Sequence, residues 1–239
     1  LLRYRGAMFG VLWIFLSPLL LLAIFAFVFG QIFEARWSRQ PEGLPFWLLL
    51  YSGLIVFNVF AESVGRSPGA VRGYPSYVKK MIFPVEILPL VPIGTGLIHA
   101  LFNLLILAVA LAWTGHLTPV IVLFRFLVLP LLLFAFGLSW FLAAWGVFIK
   151  DMYQIVPLLV QMRLFLSPVF YPVSAVPEML RPLYQYNPLG SVIEAGRSAI
   201  LGMPVTWTAW SVALAVGAAA FALGYAFCQH TRDEFADVL

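Results

Sequence analysis

Apolar runs long enough to cross a bilayer follow one another along this chain with little between them. We read six: Val11–Phe33, Leu44–Ala61, Ile87–Trp113, Thr118–Ile149, Ile155–Tyr171 and Trp207–Cys228. A helix needs about 20 apolar residues to cross a hydrocarbon core of about 30 Å. Inside that core a helix or a closed barrel must satisfy every backbone polar group. Runs of this length suit helices, so the chain is read as a bundle of spans. Hydrophobic residues make up 63% of it and charged residues 10%, with a mean hydropathy of +0.99. A soluble domain carries about 25% charged residues, and this chain could not cover its surface with them.

Two runs depart from a simple crossing. Thr118–Ile149 is too long for one straight span, so Pro130 is expected to mark a kink, with the preceding part near the interface. Arg125 in that part is expected at the headgroups. Ile155–Tyr171 is short and contains Arg163. A charge at mid-membrane depth costs several kcal/mol by most estimates, so it faces a protein interior or a watery path. Val11–Phe33 is too long for the apolar core of a cleavable leader, and no small-residue cleavage site follows it. The chain begins at Leu1 without Met, so residues are expected before it.

An even number of spans puts both termini on one side, and positive charge chooses the side. With the termini inside, the inner segments hold Arg3, Arg5, Arg66, Arg72, Lys79, Lys80, Lys150 and Arg232. The outer ones hold Arg36, Arg39, Arg181 and Arg197. Cytoplasmic termini are therefore expected. The first inner loop, 62–86, is long and basic; Val71, Tyr74, Val78, Met81 and Ile82 share one helical face. That pattern suits an interfacial helix or a docking helix for a cytoplasmic partner. The last outer segment, 172–206, is proline-rich and amphipathic. Val176, Met179, Leu180, Leu183 and Tyr184 recur at helical spacing, then Val192, Ile193, Ala195 and Ile200 after Asn187–Pro188. Two short helices dipping into the outer interface are expected.

Several chemistries are disfavoured. A phosphate-binding loop needs Gly-x-x-x-x-Gly-Lys-Ser/Thr, and none of Lys79, Lys80 and Lys150 follows a glycine. Cys228 is the single cysteine, so no internal disulfide forms. His99, His116 and His230 are scattered, with no metal-ligand spacing, and the acids Glu62, Glu86, Asp151, Glu178 and Glu194 are dispersed. Any energy used must come from a partner chain or an ion gradient. Aromatic residues are abundant, with Phe25, Phe29, Phe165, Phe170 and Tyr171 at mid-depth or near the short span. Lipid packing accounts for most such residues; lining a path and stacking on apolar sugar faces is the sharper reading.

An ordered set of segments resembles the membrane subunit of polysaccharide-exporting ABC transporters, which export O-antigen, capsule or teichoic acid. They are Arg3-Tyr4-Arg5 with Gly10-Val11-Leu12-Trp13 and Ser17-Pro18-Leu19, then Tyr51-Ser52-Gly53-Leu54 with Phe57-Asn58-Val59-Phe60. Lys79-Lys80-Met81-Ile82-Phe83-Pro84, Lys150-Asp151-Met152, Ser167-Pro168-Val169-Phe170-Tyr171-Pro172 and Tyr186-Asn187-Pro188-Leu189 continue it. Gly73-Tyr74-Pro75 departs from that pattern, and Arg163 matches no family signature. The resemblance implies an all-α integral membrane fold of the ABC-2 permease type, with six transmembrane helices in one domain. It implies no cofactor in this chain, which would act as a homodimer with two separate cytoplasmic ATPase chains that bind ATP and Mg. It places a coupling helix near Ser63–Tyr77, with Arg66, Arg72, Tyr74, Tyr77, Lys79 and Asp151 facing the ATPase. An interface helix would end around 3–9. Outer gate helices between spans five and six would use Pro172, Tyr184, Asn187, Pro188 and Arg197. The translocation path would include Phe25, Phe29, Arg163, Phe165, Phe170 and Tyr171. The expected task is export of a lipid-linked polysaccharide across the bacterial inner membrane. The alternatives are an ABC-2 exporter of drugs or small lipids, or a membrane-embedded glycan- or lipid-modifying enzyme.

Overall fold

The computed structural model describes residues 12–32, 44–74, 84–117 and 123–238, whose regular elements are helices joined by turns. Among the described residues, five helical stretches are long and apolar enough to span a membrane: Phe15–Ile32, Phe46–Gly65, Val85–Trp113, Leu129–Phe148 and Trp207–Glu234. The chain runs α1 (Trp13–Phe25, continued by a π-helical stretch Ala26–Ile32), α2 (Phe46–Gly65), α3 (Pro68–Arg72) and α4 (Leu90–Trp113). Then come α5 (Phe124–Leu127), α6 (Leu129–Phe148), α7 (Met152–Phe165), α8 (Arg181–Gln185), α9 (Pro188–Ile200), α10 (Trp207–Thr231) and α11 (Phe235–Val238).

Four places differ from the sequence expectation, each for a local reason. The second span was bounded at the first charge, yet α2 continues through Glu62 to Gly65. Glu62 is tolerated there because His99 of α4 meets it, Nδ1 to Oε2 2.7 Å. Pro130 does not kink a long helix. It sits in the first turn of α6, where its missing N–H costs nothing, and α5 is a separate turn before it. The expected fifth span, 155–171, is represented by α7, with 14 residues. At about 1.5 Å per residue this is near 21 Å, short of a full crossing. Finally, α9 does not lie on a surface; eleven of its thirteen residues are buried.

α2 is the central post. Most of its apolar window is buried, 78%, against 0% for α1 at the edge. It packs on α4, α6, α7 and α9. The most extensive pairing is α6 with α10, and small residues make it possible. Ala213, Gly217, Gly224 and Cys228 form the buried stripe of α10. A Cβ at Gly137 of α6 would collide with the backbone of Ala220, and one at Gly224 with the backbone of Gly137. In lipid there is no hydrophobic drive between helices, so this close van der Waals approach supplies the association.

At one end of the bundle, α3 lies across α6. A Cβ at Gly146 would strike the backbone of Pro68, and Ala70 and Val71 pack with Ala143, Ala144, Val147 and Phe235 of α11. The C-terminal region is tied to the same end. Arg232 Nη1 bonds Glu86 Oε1 at 2.8 Å, Gln229 bonds the same oxygen at 2.9 Å, and Trp140 Nε1 donates to the Glu86 carbonyl at 2.9 Å.

Candidate functional site

Two regions gather the residues singled out in the sequence. The first is the α3 end. α2 stops at Gly65, the chain turns through Arg66 and Ser67, and Pro68 opens α3 at a position that suits proline. The expected coupling segment 63–77 is thus the end of α2, a turn and a five-residue helix. Beneath α3 is a cavity of about 450 Å³ lined by Arg66, Gly69, Tyr74, Leu88, Thr95 and Tyr153, among others. Tyr153 stands close to Gly69: a Cβ there would lie 3.1 Å from its Cε1. Arg72 closes α3, Tyr74 is exposed, and Asp151 occupies the residue before α7. Arg66, Arg72, Tyr74 and Asp151 therefore share one end of the bundle, and Arg66 and Tyr74 line the cavity there. Tyr77, Lys79, the segment 3–9 and the Arg125 side chain lie outside the described residues.

The second region is the opposite end, where α7 stops. Arg163 is half-buried near the last turn of α7. No carboxylate pairs with it among the described residues. Its side chain lines a cavity of about 100 Å³ with Ser167, Pro168, Tyr184, Asn187 and Gly190. Tyr171 and Tyr184 lie together above, hydroxyls 3.5 Å apart, and the Tyr171 hydroxyl donates to the Phe165 carbonyl at 2.8 Å. Phe165 and Phe170 stack, with centroids 6.0 Å apart. Pro172 leads into the short turn Val173–Ala175. Asn187 caps α9: its Oδ1 accepts the Leu189 N–H at 3.0 Å, and Pro188 takes the first helical position. Phe25 and Phe29 form a separate aromatic edge with Phe46, at centroid distances of 5.8 and 6.0 Å. Phe25 and Phe170 both pack on the α2–α9 core cluster. The structure thus joins Arg163, Phe165, Phe170, Tyr171, Tyr184 and Asn187, and places Phe25 and Phe29 in a different aromatic group with Phe46.

Arg197 is not at a surface. The charge count assigned it to an outer segment, yet it is 2% exposed. Its Nε donates to the Leu49 carbonyl at 3.3 Å, and Nη1 and Nη2 donate to the carbonyls of Pro168 and Val169. Glu194 stands 3.4 Å from Nη1. Each of the three guanidinium nitrogens thus finds an acceptor. α7 ends at Phe165, and the backbone carbonyls of Pro168 and Val169 in the turn that follows it find their donor in Arg197. Gly53 of α2 makes the space, because a Cβ there would lie 2.9 Å from Nη2. The guanidinium ties α9, α2 and the turn after α7 into one unit.

A third polar cluster was not singled out in the sequence. Glu62 meets His99, and Arg66 Nη1 lies 3.3 Å from Glu62 Oε1. The Tyr51 hydroxyl donates to Asn103 Oδ1 at 2.7 Å, and Asn103 Nδ2 donates to the His99 carbonyl at 2.6 Å. The readable signal was spacing: Asn58 and Glu62 on α2 with Arg66 just past its end, and Thr95, His99 and Asn103 on α4, each recur at intervals of four. That interval puts each set on one helical face. Among the described residues no three His, Cys, Asp or Glu side chains converge as metal ligands.

Comparison with known proteins bears on the whole arrangement. The chain is 31% identical over 175 residues to the O-antigen export system permease protein RfbA of Myxococcus xanthus; the match covers 73% of this chain and 65% of that relative. It is 24% identical over 239 residues to RfbA of Klebsiella pneumoniae, covering 99% of this chain and 90% of the relative. It is 27% identical over 208 residues to the polysialic acid transport protein KpsM of Escherichia coli, covering 83% and 76%. Residues 1–201 match the family described as ABC-2 type transporter. With most of its length matched and an all-helical bundle carrying candidate spans, the chain belongs to the ABC-2 type transporter family.

Proposed function

We propose that this chain is the membrane subunit of an ATP-driven exporter that carries a lipid-linked polysaccharide across the bacterial inner membrane. It works as a homodimer with two copies of a separate cytoplasmic ATPase, which holds the ATP and Mg. Both termini are cytoplasmic, the α3 end faces the ATPase, and the Arg163 end faces outward. α7 and the turn after it form the fifth of six membrane segments.

Arg163 carries this reading. A half-buried cation near the end of α7, with no carboxylate partner among the described residues and under a rim of Tyr171, Tyr184 and Asn187, suits a polar cargo with anionic or hydroxyl groups. The cavity beside it is about 100 Å³, well below the roughly 300–1,000 Å³ of a small-molecule site. One protomer does not enclose a glycan, which favours a path between two. Proteins named for transport of two different polysaccharides align along most of this chain, which supports glycan over drug export. In the mechanism, ATP closes the ATPase dimer and pushes α3. Because α3 touches α6 backbone to backbone at Gly146, the push moves the bundle rather than compressing a flexible contact. The aromatic and Arg163 surface then makes weak, repeated contacts, which a long polymer needs in order to keep moving.

Surface labelling and immunoblotting of long-chain glycan in intact and lysed cells tests the function. Deleting the gene should trap glycan inside, and this chain with its ATPase should return it to the surface. Normal surface glycan in the deletion strain would refute polysaccharide export. Arg163→Leu should lower surface glycan about tenfold or more at normal protein level, since hydrogen bonds to a charged group are worth about 1.5–3 kcal/mol. Unchanged export would remove Arg163 from the path.

A further inference from the structure

Between α1, α2 and α4, on the α3 half of the bundle, lies a polar groove of about 450 Å³. This is within the roughly 300–1,000 Å³ range of small-molecule sites. α2 contributes Asn58 and the Glu62–Arg66 pair, α4 contributes His99 and Asn103, and α1 contributes Ser17, with Trp13 at the rim. It is separate from the Arg163 cavity, with which it shares no lining residue.

Asn58 is the telling residue. It is exposed in a stretch of α2 whose neighbours from Tyr51 to Phe60 are buried. Its amide has no hydrogen-bond partner among the described residues. It stands seven residues before the end of α2, about 10 Å inside the helix. An amide left unpaired in hydrocarbon is costly, so this position calls for water or a ligand. The rest of the groove says which ligand. Glu62 and Arg66 offset each other, so the groove is not a basic trap for phosphate. Two amides, a carboxylate, an imidazole and a hydroxyl offer donors and acceptors side by side. An indole at the rim offers an apolar face. Ring hydroxyls alternating with apolar C–H faces match that set.

We propose that this groove is a sugar-binding subsite, holding one or two hexose units of the glycan on the cytoplasmic half of the membrane before they reach the path. It rests on the polysaccharide reading above. Asn58 and Asn103 take ring hydroxyls, the Glu62–His99 pair takes another, and Trp13 covers a ring face. Arg66 lines both this groove and the cavity under α3, so occupancy is sensed where the ATPase pushes.

The test places the photo-reactive residue p-benzoylphenylalanine at position 58 in cells making the glycan, with the same replacement at Leu105, exposed on α4 outside the groove, as the control. Irradiation should give a permease adduct that stains for glycan from position 58 and not from 105. Asn58→Leu, which removes only the amide, should cut surface glycan about fivefold or more at wild-type protein level. A permease–permease adduct, a lipid adduct without glycan, or no adduct in exporting cells overturns the subsite. So does Asn58→Leu exporting like the parent chain. If the unsubstituted chain fails to restore surface glycan, the export reading itself falls and takes this inference with it.

Discussion

Arg197→Leu should strongly destabilise this protein at the Arg163 end of the bundle. The substitution leaves the carbonyls of Pro168 and Val169 without their donor in a closed interior, takes one donor from the Leu49 carbonyl, which keeps the Ser52 hydroxyl at 2.8 Å, and leaves Glu194 beside an empty place. Breaking a buried charge arrangement by removing one partner costs about 3–5 kcal/mol. For a chain of this size about 1 kcal/mol corresponds to about 2–4 °C, so the melting temperature in detergent should fall by about 10 °C. Arg197→Lys should fall in between. It keeps the charge but loses the planar fork that reaches three backbone oxygens at once. Cells should accumulate less of both variants, and export should fall with protein amount. A melting temperature within about 2 °C of the parent for Arg197→Leu would sink the structural role assigned to this residue.

Gly224→Val should be nearly as damaging, for a steric reason. Its new side chain would meet the backbone of Gly137, and no side chain stands there to rotate away. Overpacking a close contact usually costs about 1–3 kcal/mol, and a rigid backbone neighbour puts this case at the upper end. α10 would have to move off α6, which would also pull on the Glu86–Arg232 and Gln229 ties at the α3 end. Ala222→Val, two residues away on an exposed face of α10, should change stability by no more than about 0.5 kcal/mol. Thermal unfolding of the two purified variants side by side separates close packing from a general intolerance of α10. Equal melting temperatures would refute the close-packing account.

Much of the candidate site was legible because its signals are local. Arg163 stands out against an apolar run whatever surrounds it. Asn187–Pro188 announces a helix start by its chemistry alone, and Tyr171 and Tyr184 flank a proline-rich turn. Arg197 was misplaced because the positive-inside count treats every arginine between spans as exposed. Its place depends on carbonyls 28, 29 and 148 residues away. Glu62 was used as a boundary because hydropathy penalises any acid equally. His99, 37 residues on, removes most of that penalty by pairing with it.

By itself the sequence determined that this is a membrane bundle, where most spans lie, and that this chain carries no phosphate-binding loop. These follow from sums over neighbouring residues, since the bilayer rewards apolar length regardless of which helix packs where. The tertiary structure alone decided that α9 runs inside the protein and that Arg197 holds the turn after α7. It also decided that α6 and α10 touch through glycines and that two polar faces meet in a groove beside α1. Each of these depends on which groups lie within about 3 Å across the fold, where a buried polar atom either finds its partner or costs several kcal/mol.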